Sequence, residues 1–148
     1  MSSGFLLDTN VPSEMLRPRP EANVIAWVKR QTKETLFVSV VTLGELRRGI
    51  TLLAEQSSRR AELERMIHEK VPSWFQDRTL PITRMIAERW GVLDGERQLA
   101  GRPLNMADGM IAATALEHGG GSFSDKFAVA KYCKHKGLPA RLPSLSLP

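Results

Sequence analysis

Three acidic residues lie beside apolar sequence, and their side chains are the ones that could do chemistry together. Asp8 directly follows the apolar run 5–7, which has the length of a buried strand. Glu45 lies on or beside the apolar side of a helical pattern, and so does Asp108, three residues before Ile111. A lone buried carboxylate is costly, whereas several around a divalent cation are stabilised by it. The three acids therefore predict a shared carboxylate site.

Oxygen ligands of this kind indicate a hard cation, Mg²⁺ or Mn²⁺, because the chain has one cysteine and only three scattered histidines. Such an ion activates a water molecule and stabilises charge on a phosphoryl group in transfer, so the pattern points to phosphodiester hydrolysis. The alternative is purely structural. Acids in the first turn of a helix are favoured by its dipole, and Asp8 or Thr9 could equally cap a helix that starts near Pro12.

The elements that must position these acids alternate between short apolar runs and longer amphipathic stretches. This alternation predicts an α/β fold with a parallel sheet and right-handed crossovers, in which Asp8 lies at the ligand-binding carboxyl end of a strand. Thr42 is expected to cap the helix that begins at Leu43, and Asn105 opens the last helix. The predicted strands cover 5–7, 36–41 and 79–82, and the predicted helices cover 21–32, 43–54, 59–69, 83–99 and 106–117. The buried side of the helix 83–99 is expected to include Met85, Ile86, Trp90, Leu93 and Leu99.

Length and composition predict one globular domain, because the chain has 148 residues of which 42% are hydrophobic and 25% are charged. No apolar run approaches the ~20 residues that a membrane span needs, and the N-terminus lacks a signal-peptide pattern. The single cysteine, Cys133, excludes an internal disulfide and a thiolate metal cluster. The expected location is therefore the cytoplasm, without membrane contact.

The C-terminal part differs in composition from the rest. Of the net charge of +5, five basic residues and one acid after His118 contribute +4, which leaves +1 for residues 1–118. The overall charge is therefore weak evidence for nucleic-acid binding. Residues 120–148 start with glycine and serine and end in a proline, leucine and serine pattern. We expect a domain at 1–119 and an atypical, loosely ordered tail at 120–148 that adds no strand to the sheet.

Three ordered motifs, in residues 5–10, 40–49 and 105–115, resemble the successive motifs of PIN-domain ribonucleases, above all bacterial toxins of the VapC and FitB type. The resemblance runs from about Phe5 to His118. It implies a three-layer α/β/α domain with a central parallel sheet, usually a homodimer, that cuts RNA with Mg²⁺ or Mn²⁺. It also implies a cognate antitoxin whose C-terminal segment occupies the active-site groove.

The same resemblance assigns roles by position. Asp8, Glu45 and Asp108 match the family's metal-binding catalytic acids, and we assign the metal itself to Asp8 and Asp108. Thr9 or Asn10 matches the polar helper beside the first acid and is expected to position the substrate.

The end of the chain departs from the family pattern. Members normally continue from the last helix into an apolar strand with a Thr-Arg-Asn motif, followed by an Asp-Phe whose acid is the fourth site carboxylate. Here residues 120–124 read Gly-Gly-Ser-Phe-Ser, and the nearest acid is Asp125. Asp125 is therefore the candidate fourth catalytic acid. The C-terminal sequence either has been rewritten, as by a frameshift, or is that of a divergent branch of the family.

Three functional hypotheses follow. The first is a metal-dependent endoribonuclease that acts as the toxin of a toxin-antitoxin pair, with activity that the altered C-terminus could impair. The second is a catalytically impaired PIN-fold module that binds its antitoxin or a nucleic acid. The third, a sheet-based phosphatase or DNA nuclease, would use similar acids. The first two differ in whether an acid reaches the position of the fourth carboxylate.

Overall fold

The computed structural model describes residues 4–118 and two later strands, 127–131 and 140–141. The strands are β1 (Gly4–Leu7), β2 (Leu36–Ser39), β3 (Thr79–Leu80), β4 (Phe127–Lys131) and β5 (Ala140–Arg141). The helices are α1 (Asn10–Met15), α2 (Ala22–Arg30), α3 (Val40–Thr51), α4 (Ser58–Phe75), α5 (Arg84–Leu99) and α6 (Met106–His118), with short 3-10 turns at Lys33–Thr35 and Gln76–Arg78.

The strands form one five-stranded sheet in the order β3-β2-β1-β4-β5. β1 pairs in parallel with β2, where Phe5 lies opposite Leu36, and in parallel with β4, where Gly4 lies opposite Phe127. β3 continues the parallel part, and β5 is an antiparallel edge strand. The predicted α/β fold with a central parallel sheet is confirmed, and β1 lies at its centre.

Helices cover both faces of the sheet because successive side chains of a strand point to opposite sides. Leu7 belongs to the larger buried cluster, in which side chains of α1, α2, α3 and α4 pack together. Leu6 belongs to a second cluster on the other face, with Ile111 and Ala115 of α6. These two clusters give the three layers. None of the helices within the described residues combines the length and apolar character that crossing a membrane requires.

The second strand is shorter than predicted, and α3 begins earlier. Ser39 ends β2 and caps α3, because its hydroxyl accepts a hydrogen bond from the backbone N–H of Val41 at 3.1 Å. Thr42 is therefore not the cap that the sequence predicted, and it lies fully buried within the first turn. The apolar residues Val40 and Val41 have high strand propensity, but the cap and the tertiary packing place them in the helix.

α4 runs through Pro72 to Phe75, whereas the sequence predicted an end at Glu69. Proline removes one helical hydrogen bond and disfavours helix in the residue before it. Burial outweighs this cost, because Val71 and Phe75 lie four residues apart on the side of α4 that packs into the larger cluster.

The predicted buried side of α5 is partly wrong. Ile86 and Leu93 are buried as expected, and Trp90 is half-buried. Met85 and Leu99, in contrast, are 63% and 91% exposed. Ile86 and Leu93 are seven residues apart and share one helix face, whereas Met85 and Leu99 lie off that face.

The expectation that the chain adds no strand after α6 is also wrong. β4 lies at 127–131 and pairs with β1 over four residue pairs. The apolar sequence Phe127-Ala128-Val129-Ala130 is a short strand pattern. It begins several residues after the end of α6, where the next strand was expected. The division into a domain at 1–119 and a loosely ordered tail stays a prediction, since the remaining residues of 119–148 lie outside the described part of the chain.

α5 and α6 pack closely through a glycine. A Cβ atom added at Gly109 of α6 would lie 2.9 Å from Cδ1 and Nε1 of Trp90 on α5. Such a distance is too short for non-bonded atoms, so the indole occupies the space that a side chain at position 109 would need. The Trp90 Nε1 atom is buried there without a hydrogen-bond partner.

We therefore predict that Gly109→Ala destabilises the fold by about 1–3 kcal/mol, because the indole must shift from its packed position. Gly95→Ala on α5 is the matched control, since a Cβ there meets no atom within 4 Å. It should stabilise the helix by about 0.5–1 kcal/mol. Urea unfolding followed by far-ultraviolet circular dichroism measures both. Equal stability changes in the two variants would contradict the packing described here.

Candidate active site

The end of β1 places Asp8 in the protein interior at the carboxyl edge of the sheet. Asp8 follows the last strand residue, Leu7, and is 5% exposed. Its backbone carbonyl accepts a hydrogen bond from the N–H of Val11 at 3.0 Å, which fixes the turn into α1. A carboxylate this buried is costly unless it is paired, hydrogen-bonded or coordinated. This position is typical of a functional acid in an α/β protein.

Thr9 connects the end of β1 to α3. It occupies the N-cap position of α1, yet its hydroxyl makes no capping bond. The hydroxyl instead donates a short hydrogen bond to the Glu45 carboxylate, and it lies 3.4 Å from the Thr42 hydroxyl. The alternative interpretation of Thr9 as a simple helix cap is therefore wrong. Its side chain holds Glu45 next to the turn that carries Asp8.

The three side chains form a directed chain of hydrogen bonds. A threonine hydroxyl has one proton, and an ionised carboxylate can only accept. Because the proton of Thr9 goes to Glu45, the contact with Thr42 requires the Thr42 hydroxyl to donate to Thr9. Thr42 is fully buried, so this polar contact also satisfies a group that has no access to water. Glu45, in contrast, is half-buried and keeps access to the groove outside.

Asp108 is held in the first turn of α6 by Asn105. The Asn105 side-chain oxygen accepts a hydrogen bond from the Asp108 backbone N–H at 2.9 Å, which is the geometry of an N-cap. The Asn105 amide also donates to Oδ2 of Asp108 at 2.8 Å. One residue thus caps α6 and orients the predicted catalytic carboxylate, which remains half-buried.

The topology brings Asp108 to the same edge of the sheet as Asp8. α6 is followed by β4, which is parallel to β1, so α6 runs back from the carboxyl edge and its first turn starts there. Leu6, two residues before Asp8, packs against Ile111, one turn after Asp108. The two acids therefore lie on the same side of the sheet.

The acids do not form a compact cluster in this structure. Within the described part of the chain, no three His, Cys, Asp or Glu side chains lie close enough together to hold a metal ion. The expectation of a site shared by Asp8, Glu45 and Asp108 stays a prediction, and Asp125, the candidate fourth acid, lies outside the described residues. Their donor set still suits Mg²⁺, which keeps several waters and needs only one or two carboxylates. Their catalytic and metal-binding roles stay a prediction.

Two other predicted site residues are less defined. Asn10 begins α1 and is exposed beside Thr9. Asp125 lies outside the described residues. Thr42 was not predicted as a site residue, because its position in the sequence suggested a helix cap. Ser39, which is the actual cap of α3, was the residue that could have indicated this.

An open groove leads away from the Thr9 and Glu45 side chains. Its volume is about 760 Å³, within the range of ligand-binding clefts. α1, the loop after it, α3 and α4 form its walls. Its apolar lining includes Leu46, Ile50 and Leu63, and its basic lining consists of Arg17, Arg19 and Arg59. In the sequence, residues 17–20 read Arg-Pro-Arg-Pro, a pattern that breaks a helix and gives no sign of a groove.

Comparison with known proteins identifies relatives over most of the chain. The model of the family described as PIN domain matches residues 5–125. Toxin FitB of Neisseria gonorrhoeae is 37% identical over 114 residues, which cover 77% of this chain and 81% of that protein. VapC ribonuclease Y4jK of Sinorhizobium fredii is 35% identical over 115 residues, which cover 78% of this chain and 81% of that protein.

Solved structures agree with these sequence relatives. The crystal structure of FitAcB from Neisseria gonorrhoeae includes a chain that is 35% identical, with a TM-score of 0.70 and coverage of 78% of this chain and 82% of that one. FitAB bound to a DNA fragment gives 34% identity and a TM-score of 0.68, with coverage of 77% and 79%. DNA-bound VapBC from Salmonella typhimurium, at 23% identity and a TM-score of 0.65, agrees in fold, with coverage of 86% and 85%.

The two roles of Asn105 can be separated by substitution. Asn105→Ala removes the cap and should destabilise the protein by about 1 kcal/mol. Asn105→Ser keeps a capping oxygen but loses the amide that donates to Asp108, so its stability should stay within about 0.5 kcal/mol of the parent chain. Thermal unfolding of both variants tests this. A loss of similar size in Asn105→Ser would mean that the amide contact, and not the cap, stabilises α6.

Proposed function

The chain belongs to the PIN-domain family, and from this premise we propose that it is a metal-dependent endoribonuclease that acts as the toxin of a toxin-antitoxin pair. The single observation that supports this most is the hydrogen bond from Thr9 to Glu45, which joins the polar end of β1 to an acid of α3. It holds an acid of α3 at Thr9, the residue that follows Asp8, at the edge where parallel sheets bind ligands. The names of the relatives, a toxin and a ribonuclease, support the same function.

The proposed ligands of the cation are Asp8 and Asp108, with Mg²⁺ or Mn²⁺ as the ion. When bound, such an ion supplies an activated water and charge stabilisation for phosphodiester hydrolysis. Asp8 is preorganised because it is buried and follows the central strand. Asp108 is preorganised because Asn105 holds one of its oxygens and leaves the other available.

Glu45 and Thr9 have different proposed roles from the metal ligands. Glu45 reaches the groove and is held by the Thr9 hydroxyl, so it can orient a water or accept a proton near the scissile phosphate. Thr9 and Asn10 position the substrate at the start of α1. Thr42 fixes Thr9 from the buried side.

The proposed partners are an RNA substrate, a cognate antitoxin and a second copy of the chain, in the cytoplasm. The antitoxin is supported by the name of the relative toxin FitB and by the solved structure of VapBC-5 from Mycobacterium tuberculosis, described as a member of the VapBC family of toxin-antitoxin systems. The homodimer and the RNA substrate rest on the family resemblance.

The competing function is a PIN-fold module with impaired catalysis that binds its antitoxin or a nucleic acid. One sequence feature favours it: residues 120–124 depart from the family's strand and Thr-Arg-Asn motif, so the fourth carboxylate depends on Asp125. The two functions differ in whether purified protein cleaves RNA when Mg²⁺ or Mn²⁺ is added.

The first test of the proposal replaces the carboxylates. Asp8→Asn and Asp108→Asn should each lower RNA cleavage by at least about 100-fold, because a proposed metal ligand is lost. Thermal stability without metal should be unchanged or higher, since a neutral amide is less costly to bury than a carboxylate. Asp77→Asn, which changes an exposed acid in the turn after α4, is the matched control and should cleave normally. A chelator should stop cleavage, and added Mg²⁺ or Mn²⁺ should restore it.

A second test concerns the fourth carboxylate. If Asp125 supplies it, Asp125→Ala should reduce cleavage by about 10-fold or more without changing the fold. The matched control is Asp77→Ala, which removes an exposed acid in the turn after α4. Unchanged cleavage in Asp125→Ala would show that Asp125 does not take part. No cleavage by the parent chain with any RNA or metal would favour the binding module.

A further inference from the structure

The loop between α1 and α2 is fixed at both ends by one buried acid. Glu14 is 6% exposed, and its Oε1 accepts a hydrogen bond from the backbone N–H of Glu21 at 2.8 Å. Its Oε2 lies 3.5 Å from Nε of Arg17. Pro18 and Pro20 restrict the backbone between these anchors. The loop therefore has a defined conformation, and Arg19 lies at its middle.

The three arginines of the groove are not equivalent. Arg59 donates to the Leu16 carbonyl at 2.8 Å and to Glu62 at 2.9 Å, so its guanidinium is engaged in contacts within the protein. Arg17 pairs with Glu14. Arg19 is exposed, lines the groove and has no hydrogen-bond or ion-pair partner among the described residues. Its guanidinium is thus available to a ligand.

The charge of the groove favours an anion. Two of the three arginines that line it are paired with acids, Arg17 with Glu14 and Arg59 with Glu62. Among the described residues, the unpaired positive charge of the lining is therefore that of Arg19. Residues 1–118 together carry only +1, so the positive charge is local and not a general property of the domain. A guanidinium matches the geometry of a phosphate with two parallel hydrogen bonds.

We propose that Arg19 binds a backbone phosphate of single-stranded RNA that lies in this groove, and so positions the strand toward Thr9 and Glu45. This inference rests on the proposed function, because the groove ends at the proposed active site. None of the described residues that line the groove is aromatic, so the groove offers no aromatic ring on which a base could stack. Recognition through Arg19 is therefore of the backbone and should depend little on base sequence.

The experiment measures RNA binding apart from cleavage. In the Asp8→Asn background, the Kd for a fluorescent single-stranded RNA is measured over a range of salt concentrations. Adding Arg19→Ala should raise Kd roughly five-fold at low salt and reduce the slope of log K against log salt by about 0.7, the value for one phosphate contact on a single strand. Arg19→Lys should restore the salt slope, because it keeps the charge, while recovering only part of the affinity.

The matched control is Arg65→Ala on α4, which removes another exposed arginine that does not line the groove. It should leave Kd and the salt slope unchanged. In the cleaving parent chain, Arg19→Ala should raise KM with little change in kcat, as expected for a residue that binds substrate and transition state equally. Thermal unfolding checks that each variant is folded.

Each other outcome has a separate meaning. An unchanged Kd and salt slope in Arg19→Ala would overturn the inference, as would a loss of antitoxin binding without any change in RNA binding. A parent chain that cleaves no RNA would contradict the proposed function, but the binding measurement in the Asp8→Asn background would still decide the role of Arg19.

Discussion

The parallel pairing of β1 with strands on both sides is the constraint on which the rest of the molecule depends. Hydrogen bonds to β2 and β4 fix the central strand, so the residue after it, Asp8, has little freedom. β2 ends at the same edge, and α3 begins there without a connecting loop. Glu45 and Thr42 are therefore within reach of Thr9, although they follow it by more than 30 residues in sequence. The backbone ladder thus determines which side chains can meet.

Local patterns were enough to predict the fold class and several elements. α6 was predicted almost to the residue, and the start of α5 was correct because Thr83 is a good cap. The errors occur where tertiary contacts outweigh local preference. β2 gives way to helix at Val40, and α4 continues through Pro72 because burial of Phe75 compensates for the lost hydrogen bond. β4 was missed because its apolar run is short and follows a glycine-rich stretch.

The candidate site was predictable in residue type but not in its connections. Asp8 and Asp108 stand out in sequence because they lie at element boundaries next to apolar residues. The hydrogen bond between Thr9 and Glu45 joins two distant segments and leaves no periodic signal. The same is true of Arg19, which sequence alone shows only as a residue between two prolines. Its proposed role depends on the groove, which joins residues 9–19 to the later helices α3 and α4.

Burial alone does not identify a functional acid in this protein. Glu14 and Asp8 are buried to nearly the same extent, at 6% and 5% exposure. Glu14 directs its oxygens to a backbone N–H and an arginine of the same short segment, so its role is to hold the loop that carries Arg19. Asp8 lies at the end of the central strand, beside a threonine that reaches another helix. Glu14 and Asp8 are therefore distinguished by their partners and their positions in the fold, and not by their degree of burial. Glu14 holds a loop in place, and Asp8 is proposed to act in the active site.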